Sequence, residues 1–335
     1  MRGNTVWGVG CVIALTLAGA GCSGGSDTNK TTPKPGSGSV VPTTKASSPV
    51  SRAAFPGLGQ VAKAGDWQVS VSALTPTDAT AAARSLPAQS MPLRATVTLT
   101  NTANHIASVP TTVVTARYGA LGRTATAFTD THLPGLPKPS SSTSRARVLP
   151  GGVFTADIGI AVPARASGES VTVTTEVTEE GMVNGENVFF EGRLPGTPQD
   201  APEPVPGSGP PPTGAVLPLG AWSQHGYRVG PLRLEATPAT DGRRTASLDL
   251  SYDNKGTSTR SGLGRSLSVL TGPDLTEADE VRAWLDYHDA PIAPGRIATV
   301  TVSVTLPENA IPGPVTVELI GGSGLERTPY TGTLN

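Results

Sequence analysis

The feature that most constrains this chain is a strict two-residue alternation of apolar and polar side chains. Between Val153 and Val162, Phe154, Ala156, Ile158, Ile160 and Val162 alternate with Thr155, Asp157 and Gly159. From Thr299 to Leu306, Val300, Val302, Val304 and Leu306 alternate with Thr301, Ser303 and Thr305, and from Arg94 to Thr100 Ala95, Val97 and Leu99 oppose threonines. Side chains change face at every residue only in extended backbone, so these runs predict strands with one buried and one wetted face. The 40 glycines and 32 prolines are about a fifth of the 335 residues, enough to punctuate short strands but short of a composition that stays unfolded. The pattern is all-β, a sandwich or barrel. With aromatics at 4%, its core must be built mainly from Val, Leu, Ile and Ala.

The N-terminus reads differently. Arg2 precedes an apolar run of 12 residues, Val6 to Leu17, shorter than the ~20 a membrane-crossing helix needs. It reads as a signal segment, residues 1–21. The run ends Leu17-Ala18-Gly19-Ala20-Gly21-Cys22, which resembles a bacterial lipoprotein signal, with Gly19 where that pattern usually has Leu. The resemblance implies that Cys22 takes a diacylglycerol and becomes the first mature residue. Two or three acyl chains would give stable membrane attachment. Cys11 lies in the discarded segment, so the resemblance leaves the folded part without cysteine. Residues 22–55 are rich in Ser, Gly, Thr, Pro and Lys and poor in large apolar side chains. Such a segment cannot offset its ordering entropy and is expected to be a disordered tether. A second break, 195–213, carries eight prolines and reads as a semi-rigid polyproline spacer. The blocks on either side, 56–194 and 214–335, are the two expected folded domains. Arg outnumbers Lys 19 to 6, a composition like that of a GC-rich, actinobacterial genome.

The two blocks also look like copies. Gly65-Asp66-Trp67-Gln68-Val69 resembles Gly226-Tyr227-Arg228-Val229, and Ala95 to Leu99 resembles Ala246 to Leu250. Leu149-Pro150-Gly151-Gly152 resembles Ala293-Pro294-Gly295-Arg296, with Pro163 and Pro307 at the same remove, and Glu191 to Leu194 matches Thr331 to Leu334. The layout is G-x-W/Y-x-V, a strand ending near Asn, then Pro-Gly before a long alternating strand. It resembles an immunoglobulin-like family found on Gram-positive lipoproteins and related to immunoprotective extracellular antigens. That resemblance implies two tandem immunoglobulin-like antiparallel β-sandwiches and lipid anchoring, and it supplies no catalytic residues to transfer.

Candidates for chemistry are few. The Gly-x-Ser-x-Gly match, Gly21 to Gly25, straddles the expected cleavage point and leads into the tether, not into the strand-to-helix turn a hydrolase needs. His105, His132, His225 and His288 are too widely spaced for a local zinc set, so no metal and no cofactor are expected. Asp274, Glu277, Asp279 and Glu280 are carboxylates of the kind calcium favours. Asp274-Leu275-Thr276-Glu277 also fits a capping box, and Leu275, Ala278, Val281 and Leu285 fall on one helical stripe. The preferred reading is therefore a short helix over 275–287 inserted in the second sandwich. Trp284 and Tyr287 at its end form a candidate binding ledge. Leu133 to Val148 is a Pro/Ser loop whose Lys138, Arg145 and Arg147 are candidate contacts for an anionic wall polymer.

The net charge of −1 argues against a nucleic-acid partner. The expectation is a lipid-anchored protein on the extracytoplasmic face of the membrane, not an enzyme, acting as a binding or structural module for an envelope partner. A polysaccharide- or wall-polymer-binding module is the alternative, and an enzyme with a dispersed site is the lesser one.

Overall fold

The computed structural model describes residues 54–78, 86–128, 136, 146–182, 185–198, 216–235, 243–263, 265–278, 280–283, 291–306, 312–321 and 327–334. The chain forms two immunoglobulin-like sandwiches in tandem, each around its own apolar core. In the first, one sheet runs Val61–Ala64, Trp67–Val71, Ser90–Asn101, Val153–Pro163, Thr126–Phe128. The sheet facing it runs Glu186–Arg193, Ser170–Thr178, Thr111–Tyr118, Arg123–Thr124. The second sandwich repeats the plan. Tyr227–Val229, Thr245–Asp253, Ile297–Thr305 and Glu280–Ala283 lie in one sheet, and Arg327–Leu334, Gly313–Gly321, Arg265–Thr271 and Thr276–Glu277 in the other. These are the strand orders of an immunoglobulin-like sandwich.

The alternation places its side chains as expected. Val97 and Leu99 sit against Val69 and Val71 in the first core, and Val302, Val304 and Leu306 are fully buried in the second. Asp157 is a polar exception on the sheet surface. It is largely buried, paired with Arg94, and accepts a 2.7 Å bond from the Thr96 hydroxyl. Such charge-assisted bonds offset the cost of taking the carboxylate out of water.

One device recurs in both sandwiches. Asn101 ends its strand fully buried, and its Nδ2 donates to Val148 O (2.9 Å) and His105 O (2.9 Å), while its Oδ1 accepts from Ala103 N (2.9 Å). Asn254 does the same with Ile292 O (2.9 Å), Ser258 O (3.0 Å) and Gly256 N (3.2 Å). Gly151 N donates to Asn101 O and Gly295 N to Asn254 O, each at 2.8 Å. The asparagine thus fastens the strand end to the Pro-Gly turn. The entering chain is matched as well: Leu58 N bonds Glu191 O and Leu219 N bonds Thr331 O. A Cβ at Gly192 or Gly332 would fall 2.4 or 2.5 Å from the leucine Cδ1 there, so any side chain would force that leucine to move.

The expected helix over 275–287 is not formed; Thr276–Glu277 and Glu280–Ala283 are strands. Gly272 (φ +73°) and Leu275 (φ +53°) close a tight turn that pairs Thr271 with Thr276, and Leu275 is left exposed instead of starting an apolar stripe. Backbone in the left-handed region cannot begin a right-handed helix. Glu280–Ala283 instead pairs with Ile297–Thr305, setting Val281 opposite Val304. Of the apolar set, Leu275 lies in the turn, Ala278 between the two strands and Val281 in the second, and Leu285 lies outside the described residues.

Two buried phenols give the fold an alkaline limit. Tyr330 is fully buried with its hydroxyl donating to Tyr227 O (3.1 Å), and burial raises its pKa above the ordinary value, opposed by a hydrogen bond with Ser223. Tyr118 is raised too, mainly by burial. Below about pH 10 both phenols are protonated in folded and unfolded chains alike. Above it the unfolded chain loses these protons first, so stability falls as pH rises toward the folded pKa values. Denaturation midpoints are expected to hold steady to about pH 9 and then drop. Tyr330→Phe should shallow that drop, and an equally steep drop in the variant would assign it to other groups.

Candidate binding site at the junction of the two sandwiches

The described part of the sequence-predicted loop site is small. Arg147 is exposed in a two-residue strand, Arg147–Val148, paired with Ala107–Ser108. Lys138, Arg145, Trp284, Tyr287 and Cys22 lie outside the described residues, as does most of 195–213. His105 and His225 are exposed and far apart in sequence, and among the described residues no group of three or more His, Cys, Asp or Glu gathers to hold a metal ion. Asp274 and Glu277 are exposed, with Glu277 accepting from Ser268 Oγ at 3.2 Å. Trp67 is a core residue, and Trp222 is half-buried.

What the structure brings together instead is the junction between the sandwiches, which belong to one compact unit, Pro49–Asn335. The hairpin Gly119-Ala120-Leu121-Gly122 turns Thr111–Tyr118 into Arg123–Thr124, with Tyr118 opposite Arg123. Beyond the turn, Arg123 pairs in parallel with Thr299 of the second sandwich, so one sheet runs continuously through both. Thr299 N donates to Gly122 O (3.1 Å), and its buried hydroxyl lies 2.7 Å from Leu121 O and 2.9 Å from Ser251 Oγ. Gly122 (φ +60°) touches the second sandwich so closely that a Cβ would lie 1.9 Å from Ile297 O.

Two ion pairs flank this seam. Arg123 Nη1 reaches Asp249 Oδ2 at 3.0 Å, and Thr301 Oγ1 donates to the other oxygen of Asp249 at 2.9 Å. On the opposite side Arg296 Nε donates to Glu191 Oε1 at 2.8 Å, and its guanidinium lies 5.2 Å over the Phe55 ring, which packs 5.2 Å from Phe189. Both pairs are partly shielded from water, where charge-assisted bonds count for more than on an open surface. The two sandwiches meet directly at this seam, while most of the expected spacer, 195–213, lies outside the described residues.

Each pair borders a cleft. The Arg296–Glu191 side encloses about 390 Å³ between Thr172, Thr174 and Phe189 of the first sandwich and Pro291 to Ala293 of the second. The Arg123 side encloses about 430 Å³, walled by Tyr118, Glu169, Ser170 and the arginines 123, 165, 193 and 233. Volumes of this size suit a small ligand or a polymer segment. Arg123 and Arg165 pull the Tyr118 phenol downward while Glu169 and Asp249 push it upward, so all four charges are felt at one hydroxyl. None of these arginines stands out in the sequence: each is a single charge among turn and strand residues, and only the junction gathers them.

No family model matches the chain, and no curated protein matches it. Among solved structures it is similar to red sea bream transglutaminase, at 11% identity and a TM-score of 0.20 over 81% of this chain and 31% of that one. The chain thus spans about a third of the transglutaminase. It is similar also to a serine-rich repeat protein from Streptococcus agalactiae, at 8% identity and a TM-score of 0.16, covering 82% of this chain and 93% of that one. Likenesses at this level assign no activity.

Proposed function

We propose that this chain is an extracytoplasmic lipoprotein of a Gram-positive, actinobacterial envelope, anchored through lipid on Cys22, whose paired sandwiches serve as a non-catalytic binding or structural module for an envelope partner. The observation that carries the reading is Leu17-Ala18-Gly19-Ala20-Gly21-Cys22 behind a short apolar run and ahead of a polar, Pro-rich stretch. Its resemblance to lipoprotein signals supplies the anchor. Two sandwiches joined as one sheet supply a body whose clefts keep their shape, which favours binding over a flexible connector role. The alternative, direct recognition of an envelope polymer, is favoured by the four arginines of the larger cleft.

The test is metabolic labelling of the full chain with a tagged fatty acid in an actinobacterial host. The wild-type chain should take up label and sediment with membranes. Cys22→Ala should reduce the label to background and move the protein to the soluble fraction. A Cys22→Ala chain that stays equally labelled and membrane-bound would sink the anchoring claim.

A further inference from the structure

The larger cleft at the junction has an unbalanced charge. Arg123 is matched by Asp249 at 3.0 Å. Among the described residues that leaves Arg165, Arg193 and Arg233 with Glu169 on the wall, an excess of two positive charges around about 430 Å³. Among the described residues, neither Arg165 nor Arg233 has a carboxylate partner, and Arg193 Nη1 is bonded to a neutral carbonyl, Gly168 O, at 3.2 Å. The four guanidiniums come from four separate places. Arg123 lies in the seam strand, Arg165 in the one-turn segment Ala164–Ala166, Arg193 at the end of Glu186–Arg193, and Arg233 in Arg233–Leu234 of the second sandwich. Holding four like charges around one cavity costs repulsion that an anion inside it would relieve.

We infer that this cleft binds a phosphate-bearing ligand carrying two negative charges, either a phosphomonoester or two successive phosphodiester groups. Two charges neutralise the excess. The tetrahedral phosphate also suits the wall: it offers terminal oxygens in several directions to guanidinium forks that arrive from different elements, whereas a planar carboxylate accepts them mainly in one plane. Ser170 and Tyr118, which also line the cleft, add hydroxyls. Because Arg233 belongs to the other sandwich, the site is complete only when the junction is closed.

This inference deepens the binding reading above, yet its test is independent of the anchor. The full chain carrying Cys22→Ala is titrated calorimetrically with glycerol 3-phosphate, a short glycerol phosphate oligomer and citrate, across a salt series. It is also mixed with vesicles of phosphatidylglycerol or phosphatidylcholine. Saturable, salt-weakened binding of the phosphates is expected, with citrate at least tenfold weaker. Selective retention on phosphatidylglycerol would place the phosphate on a lipid headgroup, and binding of the soluble oligomer alone would place it on a free polymer.

Arg165 and Arg233 are exposed, so Arg165→Ala/Arg233→Ala should keep its melting temperature and lose binding tenfold or more. Absence of phosphate binding at low salt, citrate binding as tight, or unchanged affinity in the double variant would each overturn the assignment. None of these results would bear on whether Cys22 is acylated.

Discussion

Gly122→Ala should loosen the junction between the two sandwiches, leaving Arg296–Glu191 as the remaining ion pair across it and each sandwich folded. The new methyl would sit 1.9 Å from Ile297 O, and the backbone there has φ +60°. An alanine in that conformation costs about 1–2 kcal/mol. Relieving the clash means withdrawing the turn, which gives up the Thr299 bonds to Leu121 and Gly122 and then the Arg123–Asp249 pair. At about 1 kcal/mol for each neutral bond and somewhat more for the charged one, the total is on the order of 4 kcal/mol. Neither apolar core contains Gly122. Small-angle scattering should therefore show a larger radius of gyration, and calorimetry should resolve two unfolding transitions where one is expected of the wild type. An unchanged scattering profile with a single transition would mean that the junction tolerates the methyl. The same variant should lose phosphate binding, because Arg233 moves away with its sandwich.

The second large effect is expected at the buried asparagines. Asn101→Ala removes two donated bonds and one accepted bond, and leaves the Val148 and His105 carbonyls and the Ala103 N–H without that partner. Unmet buried groups cost more than the bonds were worth, so the loss should be about 3 kcal/mol. Asn254→Ala should cost a similar amount in the second sandwich. The informative control is Asp, which matches the shape but turns an acceptor oxygen toward carbonyl oxygens, and it should be at least as damaging as Ala. Urea midpoints decide the matter: shifts within about 0.5 kcal/mol would reduce these residues to ordinary surface positions.

These asparagines also show how far the sequence could be read. Alternation identified three long strands, those at Arg94–Thr100, Val153–Val162 and Thr299–Leu306, because one buried and one wetted face force it. It did not identify their relative register. The comparison of Ala95 with Ala246 is off by two residues: the asparagine bonds equate Asn101 with Asn254, which places Val97 with Leu250. A slip of two leaves every side chain on its proper face, so hydrophobicity cannot detect it. The supposed helix failed for a related reason. Four apolar residues spaced by three or four mimic a helical stripe, while Gly272 and Pro273 mark a turn.

The junction was illegible for a different reason. Thr299 looks like any outward-facing threonine of an alternating strand, and it is buried only because the edge of the other sandwich arrives there. Its ion-pair neighbours are joined across 126 and 105 residues of chain, beyond any local pattern. The arginines of the cleft are scattered for the same reason, which is why the sequence directed attention to the basic loop around Arg147.

The way the chain enters the first sandwich has a mechanical consequence. Gly57 pairs in parallel with Glu191, through bonds of 2.8 Å from Leu58 N to Glu191 O and from Glu191 N to Pro56 O. Tension arriving from residue 54 and resisted beyond Leu194 thus pulls along this strand pair, loading its bonds together in shear and not one after another. Phe55 lies beneath Arg296, and Arg296 holds Glu191, so part of that load passes straight into the second sandwich. Drag on the body is then carried by the seam, and the two sandwiches meet it as a single lever.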